Sequence, residues 1–216
     1  IAPELPFPIL LHELTEERPR LPEELTAPFQ VQAFRVNHGI SCYGYRISIP
    51  RLGKFDAERA RAEGIPLCYW NRLQHGEEIR DKDRIYRPDM VMGKERRGIS
   101  VVYCTDTRPV PIIAEMARDA DLFICEGMYG TEDKTDNARR YKHMTMREAA
   151  MLAAEAGPRE LWFTHYSPSE LRPEQYRDEI RKIFPAKFAR DGWSRDLNFE
   201  EEGEDGGEER DPDTGD

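Results

Sequence analysis

From residue 99 onward the chain alternates strand and helix, and no other feature limits its fold so strongly. "GISVVYC" (98–104), "DLFICEG" (121–127) and "ELWFTH" (160–165) are short apolar runs bounded by turn residues, the pattern of buried strands. Between and after them lie "PVPIIAEMARDA", "TMREAAMLAAEAG" and "PEQYRDEIRKIF", each with helical composition. The second is the clearest: Thr145 and Glu148 make a capping box, and Gly157 followed by Pro158 stops it. Pro109 is expected to open the first. Strands are thus predicted near 99–105, 122–126 and 161–165, in βαβ units with the helices on one face of a sheet. The other face is expected to be unusually apolar.

Upstream, "FQVQAFRVNHG" and "CYGYRISI" alternate apolar and polar residues and predict two antiparallel strands around a turn at Asn37 to Ser41. Residues 50–98 carry twelve Lys and Arg against nine Asp and Glu. They read as a charged arm or insertion, with one short helix at "FDAERARAEG" stopping at Gly64 and Pro66. The organisation expected is therefore strands leading into the fold over 1–49, an arm over 50–98, a βαβ portion over 99–198 and an acidic tail over 199–216.

Charge gives little guidance about a partner. Of a formal net charge of −10, residues 199–216 hold ten acidic residues and one arginine, a net of −9, which leaves −1 for the rest. That tail reads as disordered and solvated, and its sign would repel nucleic acid. Cys42, Cys68, Cys104 and Cys125 are widely spaced without a CxxC pair, as suits buried thiols in a reducing compartment. With no membrane span or signal peptide in the pattern, a cytoplasmic protein is expected. Ile1 and the opening "IAPELPFPILLHEL" are what the later part of a longer protein would show.

Function enters at the strand ends, where open α/β sheets gather their chemistry. Asp106, Glu126 and His165 each stand where a strand runs out, His143 precedes the capped helix, and His38 lies in the upstream turn. A carboxylate there costs free energy unless it is paired or holds a metal. Singly, Asp106 could cap a helix and each histidine could satisfy a carbonyl. Together, imidazoles and a carboxylate are a donor set that borderline metals such as zinc prefer, and one carboxylate can bridge two ions in phosphodiester hydrolysis.

"YCTDTRP", "DADLFICEGMYG", "YKHMT" and "THYSPSE", in this order, resemble successive signature stretches of ribonuclease Z, the metallo-β-lactamase-fold endoribonuclease that trims precursor tRNA at its 3′ end. "AFRVNHGISCYGYRI" and "GKFDAERARAEGIP" resemble the preceding part of that family. The resemblance runs over about residues 29–170. It implies an α/β fold, the metallo-β-lactamase-like αββα sandwich, mainly its second half, with an inserted arm. It implies two zinc ions in the complete enzyme, with His38, Asp106 and His165 as ligands and Asp106 bridging. His143 would act at the scissile phosphate, with Glu126 behind it to orient it. Substrate contacts would come from the arm near Lys54, Arg59 and Arg61. The partners implied are precursor tRNA and a second copy of the chain, with no membrane.

Two stretches depart from the family pattern. The arm's usual Gly-Pro appears as "GIPLCYW", and the strand that often ends in His-Glu ends in Cys125 and Glu126. The family's HxHxDH motif has no counterpart here; His12 and His75 stand alone. The chain by itself is therefore expected to bind metal weakly or not at all and to be inactive. Two other readings stay open: another hydrolase of this fold acting on small phosphodiesters or esters, and a non-catalytic fragment that retains three ligands.

Overall fold

The computed structural model describes residues 9, 11–130 and 132–200. The expected acidic tail therefore lies outside the described residues from 201 onward. The chain forms two compact units, Ile1–Ser48 with Ser100–Ser194, and Ile49–Ile99 with Arg195–Asp216.

In the first unit a single helical turn, α1 (Glu23–Thr26), precedes β1 (Gln30–Asn37) and β2 (Ser41–Arg51), which pair antiparallel from Gln30 opposite Ser48 to Asn37 opposite Ser41. The predicted turn at 37–41 is this hairpin. In the second unit come α2 (Ala57–Ala62), α3 (Leu67–Gln74), β3 (Ile79–Asp81) and β4 (Arg84–Tyr86). The chain then continues through β5 (Arg96–Cys104), α4 (Pro111–Ala117), β6 (Leu122–Glu126), α5 (Thr135–Tyr141), α6 (Met146–Ala156), β7 (Glu160–Thr164), α7 (Arg177–Ile180) and β8 (Ala186–Phe188). The unit boundaries fall inside β2 and β5.

The main sheet has six strands in the order β1-β2-β5-β6-β7-β8, the last four parallel. Its register explains the core. Val102 lies opposite Phe123 and Phe123 opposite Leu161, while Cys125 lies opposite Phe163 and Phe163 opposite Phe188. These side chains share one face and pack with Ile113 and Met116 of α4, the small residues of α6 and Ile180 of α7. Small residues at helical spacing in α6 (Ala149, Ala150, Ala153, Ala156) are all buried, which brings its backbone close to the sheet. The other face carries Val31, Tyr45, Ile47, Val101, Tyr103 and Ile124, all half-buried or exposed. Side chains alternate across a strand, and by the same register this face also takes Arg35, Glu160 and Lys187, so it is mixed rather than unusually apolar.

Two helices differ from expectation. Pro109 does not open α4; Val110 is extended at φ −136° and the helix begins at Pro111, because a residue preceding proline is held out of the helical region. "PEQYRDEIRKIF" is not one helix. It forms a 3₁₀ turn at Pro173–Tyr176 and a single α turn at 177–180. Here tertiary packing overrides propensity: the Tyr176 hydroxyl is bonded to the buried Glu170, and its ring fills the space a side chain at Gly130 would need. By contrast α6 follows its local signals, with Thr145 accepting from the Glu148 N–H and Gly157 in the left-handed conformation.

The second unit has its own small core of Ala60, Ile65, Leu73, Ile79, Tyr86 and Val91, with Phe55, Tyr69 and Trp70 against it. α2 ends before Gly64 at φ 64°. α3 and the β3–β4 hairpin are additions to the predicted elements. The hairpin turns at Lys82, φ 53°.

Candidate active site

The stretch Thr105 to Arg108 ties the strand ends together. Asp106 leaves β5 with φ 55°, and His165 leaves β7 with the same value. The left-handed region is uncommon for residues with a side chain, Asp and His being among the more tolerant, and such strain gathers at functional sites. It turns both side chains out of their strand directions toward each other: His165 Nε2 lies 3.5 Å from Asp106 Oδ1. The other Asp106 oxygen accepts from the Thr105 hydroxyl at 3.1 Å.

Glu126 is fully buried and every polar atom of its carboxylate is engaged. Oε1 accepts the Thr107 N–H at 2.7 Å, and Oε2 accepts the Met144 N–H at 3.1 Å and faces His143 Nδ1 at 3.0 Å. These bonds offset the desolvation of a carboxylate in the core. A carboxylate only accepts, so Nδ1 of His143 donates and Nε2 points onward. The bond from Glu126 holds the His143 imidazole above its ordinary range, with partial burial opposing it and Asp106 adding a smaller push in the same sense.

His38 is fixed in the same manner. Its Nδ1 lies 3.0 Å from the Lys142 carbonyl, which only accepts, so Nδ1 is the donor and Nε2 is the ring nitrogen left for a ligand, as in a ligating histidine whose other nitrogen is held by an oxygen. Lys142, in left-handed conformation at the end of α5, returns the contact through Nζ to the His38 carbonyl at 3.0 Å. The His143 ring stands between the others, 5.0 Å from His38 and 5.4 Å from His165 by centroids. A cavity of ≈ 560 Å³ opens beside His38, with Asn37, Ser41 and Val110 in its wall, so this histidine is reachable from outside.

All five predicted strand-end and turn residues therefore converge. Among the described residues, two sets of three have ligand atoms within 4.8 Å of one another: His38, Asp106 and His143, and Glu126, His143 and His165. Neither is the expected trio of His38, Asp106 and His165, although Asp106 approaches both other members of it; His143 belongs to both sets. The imidazole and carboxylate donors, with two Nδ1 positions already bonded to oxygen partners, fit a borderline divalent metal. The thiols do not suit that role, since burial pushes Cys104 and Cys125 up and keeps them protonated, and Cys68 is exposed in α3. Lys54, Arg59 and Arg61 are exposed residues of the second unit, Arg61 lying 5.4 Å over the Trp70 ring.

Residue patterning did not reveal how three supporting side chains, Arg108, Glu148 and Glu170, are used. Arg108 donates to the His143 carbonyl at 2.6 Å and to both oxygens of Glu148. Glu170 accepts from Lys134, Tyr176 and the Gly130 N–H, bracing the loop after β6 against the loop that carries His165. Only the Thr145–Glu148 capping box was a signal that one of them was engaged.

A beta-lactamase superfamily domain matches residues 74–166. The ribonuclease Z of Lachnospira eligens is 54% identical over 204 residues, 94% of this chain and 66% of that protein. The ribonuclease Z of Lachnoclostridium phytofermentans is 49% identical over 203 residues, 93% of this chain and 65% of that protein. The chain thus spans just under two thirds of the length of these curated relatives. In fold it is similar to the metallo-beta-lactamase fold protein YhfI from Bacillus subtilis, with a TM-score of 0.50 at 20% identity over 77% of this chain and 49% of that one. With its strand-end cluster of imidazoles and carboxylates, its α/β sheet and these identities, the chain belongs to the ribonuclease Z family of the metallo-β-lactamase superfamily.

Proposed function

We propose that this chain carries the metal-bridging and phosphate-handling side of a zinc-dependent endoribonuclease that removes the 3′ trailer of precursor tRNA. The observation that supports it most is the pairing of His143 with the buried Glu126 beside a carboxylate, Asp106, that lies within reach of imidazoles from other loops. His38, Asp106 and His165 would hold the metal. Zinc bound there would supply stabilisation of phosphoryl charge and an acidified water. Asp106 has two oxygens to share between ions. His143 presents Nε2 toward the leaving oxygen and can hold a proton there, while Glu126 fixes the ring and stabilises its cationic form. The second unit, with Lys54, Arg59 and Arg61 exposed, would grip the tRNA through phosphate contacts. A homodimer acting in the cytoplasm completes the proposal; no helix among the described residues is long and apolar enough to cross a membrane.

The presence of His143 in both sets of three favours a second reading, in which it is itself a metal ligand. The test is cleavage of a precursor tRNA with a 3′ trailer, using the chain joined to the part of the Lachnospira eligens relative that lies outside the matched residues. Release of the trailer supports the proposal. A metal-loaded, folded protein that leaves precursor tRNA intact while hydrolysing a small phosphodiester would overturn the substrate assignment.

A further inference from the structure

Arg108 lies where the site's supports meet. Its main-chain N–H donates to the Asn37 carbonyl at 2.9 Å, next to His38 in sequence. Its neighbour Thr107 donates to Glu126. Its guanidinium, 16% exposed, grips both oxygens of Glu148, and the same Nη1 that reaches Glu148 also donates to the His143 carbonyl at 2.6 Å. Glu148 is in turn held by the Thr145 N–H at 2.9 Å, at the first turn of α6.

His143 is thus fixed at both ends of the residue. Glu126 holds its ring and Arg108 its main chain, while the His143 N–H is bound to Ala138 in α5. The link between the two helices is short, from Lys142 to Thr145, so a small rotation of the 143–144 peptide would swing the imidazole. The forked guanidinium spans a carboxylate and a carbonyl at once, which a lysine ammonium cannot do with the same geometry. With Glu148 on both of its terminal nitrogens, Arg108 is already neutralised and is not placed to bind phosphate. We propose that Arg108, locked by Glu148, is a positioning residue that sets the His143 main chain and so aims its imidazole at the reacting phosphate. This rests on the reading of His143 as the group that acts there.

The experiment uses Arg108→Met and Arg108→Lys, with Gly44→Ala as a variant destabilised elsewhere in the core. His-selective ¹⁵N NMR of the 216-residue chain reads the ring directly, and with only five histidines the His143 signals can be assigned by substitution. The metal-loaded ribonuclease gives kcat, KM and metal content. Arg108→Met should shift or broaden the His143 ring signals and lower kcat by about 10- to 100-fold, as misplacement of a reacting group does, with KM and metal content held. Arg108→Lys should recover part of both readouts. Gly44→Ala should lower the melting temperature and leave the His143 signals and kcat alone. Unmoved His143 signals in Arg108→Met, or a kcat loss that merely follows melting temperature across all three variants, would overturn the proposal. Moved signals in a protein that never cleaves precursor tRNA would support the positioning role and count instead against the proposed activity.

Discussion

Glu126→Gln tests the physical reasoning about the site without needing a reaction. The carboxylate meets three donors: the Thr107 N–H on Oε1, and the Met144 N–H with His143 Nδ1 on Oε2. An amide has one oxygen, so one of these positions must take an NH₂. The less costly orientation keeps oxygen toward Met144 and His143 and turns the NH₂ against the Thr107 N–H. That leaves a buried donor, and the amide group facing it, unpaired in a position with no access to water. One such group costs about 1–3 kcal/mol. At roughly 2–4 °C per kcal/mol for a chain of this size, the melting temperature should fall by about 2–12 °C. Thermal denaturation followed by circular dichroism measures it, and the Thr107 amide proton should shift upfield as its bond is lost. A melting temperature within about 1 °C of the parent, a change worth well under 1 kcal/mol, would show that the carboxylate is not bonded as described.

Gly44→Ala should be destabilising by about 1–3 kcal/mol in chemical denaturation, because its new Cβ would sit 2.4 Å from the ring of Phe34, a fully buried side chain with nowhere to move. Thr145→Ala removes the side-chain cap of α6 and should cost about 1 kcal/mol in the same assay. The 216-residue chain on its own is expected to release no trailer from precursor tRNA, since its donors for metal are confined, among the described residues, to the sets that share His143; cleavage by it in a gel assay would contradict that.

How far the residues announced this arrangement depends on the range of the forces involved. β5, β6 and β7 were legible because apolar runs bounded by turn residues are local signals, and α6 because a capping box and a Gly–Pro stop lie within its own ends. The strand-end residues were legible as a group, and the structure brings all five together. What stayed hidden was set by distant contacts. The break at Tyr176 depends on Glu170, Lys134 and Gly130, and the role of Arg108 depends on a pair forty positions away. α3 and the β3–β4 hairpin lie in a stretch whose many charges suggest an exposed arm, and the cluster that its apolar residues share shows them to form a core. Pro111 as the start of α4 could have been foreseen, since "PVP" holds Val110 extended.

The proposed function divides the labour at the strand ends, with Asp106 assigned to hold metal and His143 to act on the phosphate. Metal content per protein, measured by elemental analysis on His143→Ala and Asp106→Ala versions of the cleavage-competent ribonuclease, tests it most directly. The expected result is an empty site in Asp106→Ala, and parental metal in His143→Ala despite a loss of about 10²–10⁴-fold in kcat. Loss of the metal from His143→Ala, or its full retention by Asp106→Ala, would contradict the account.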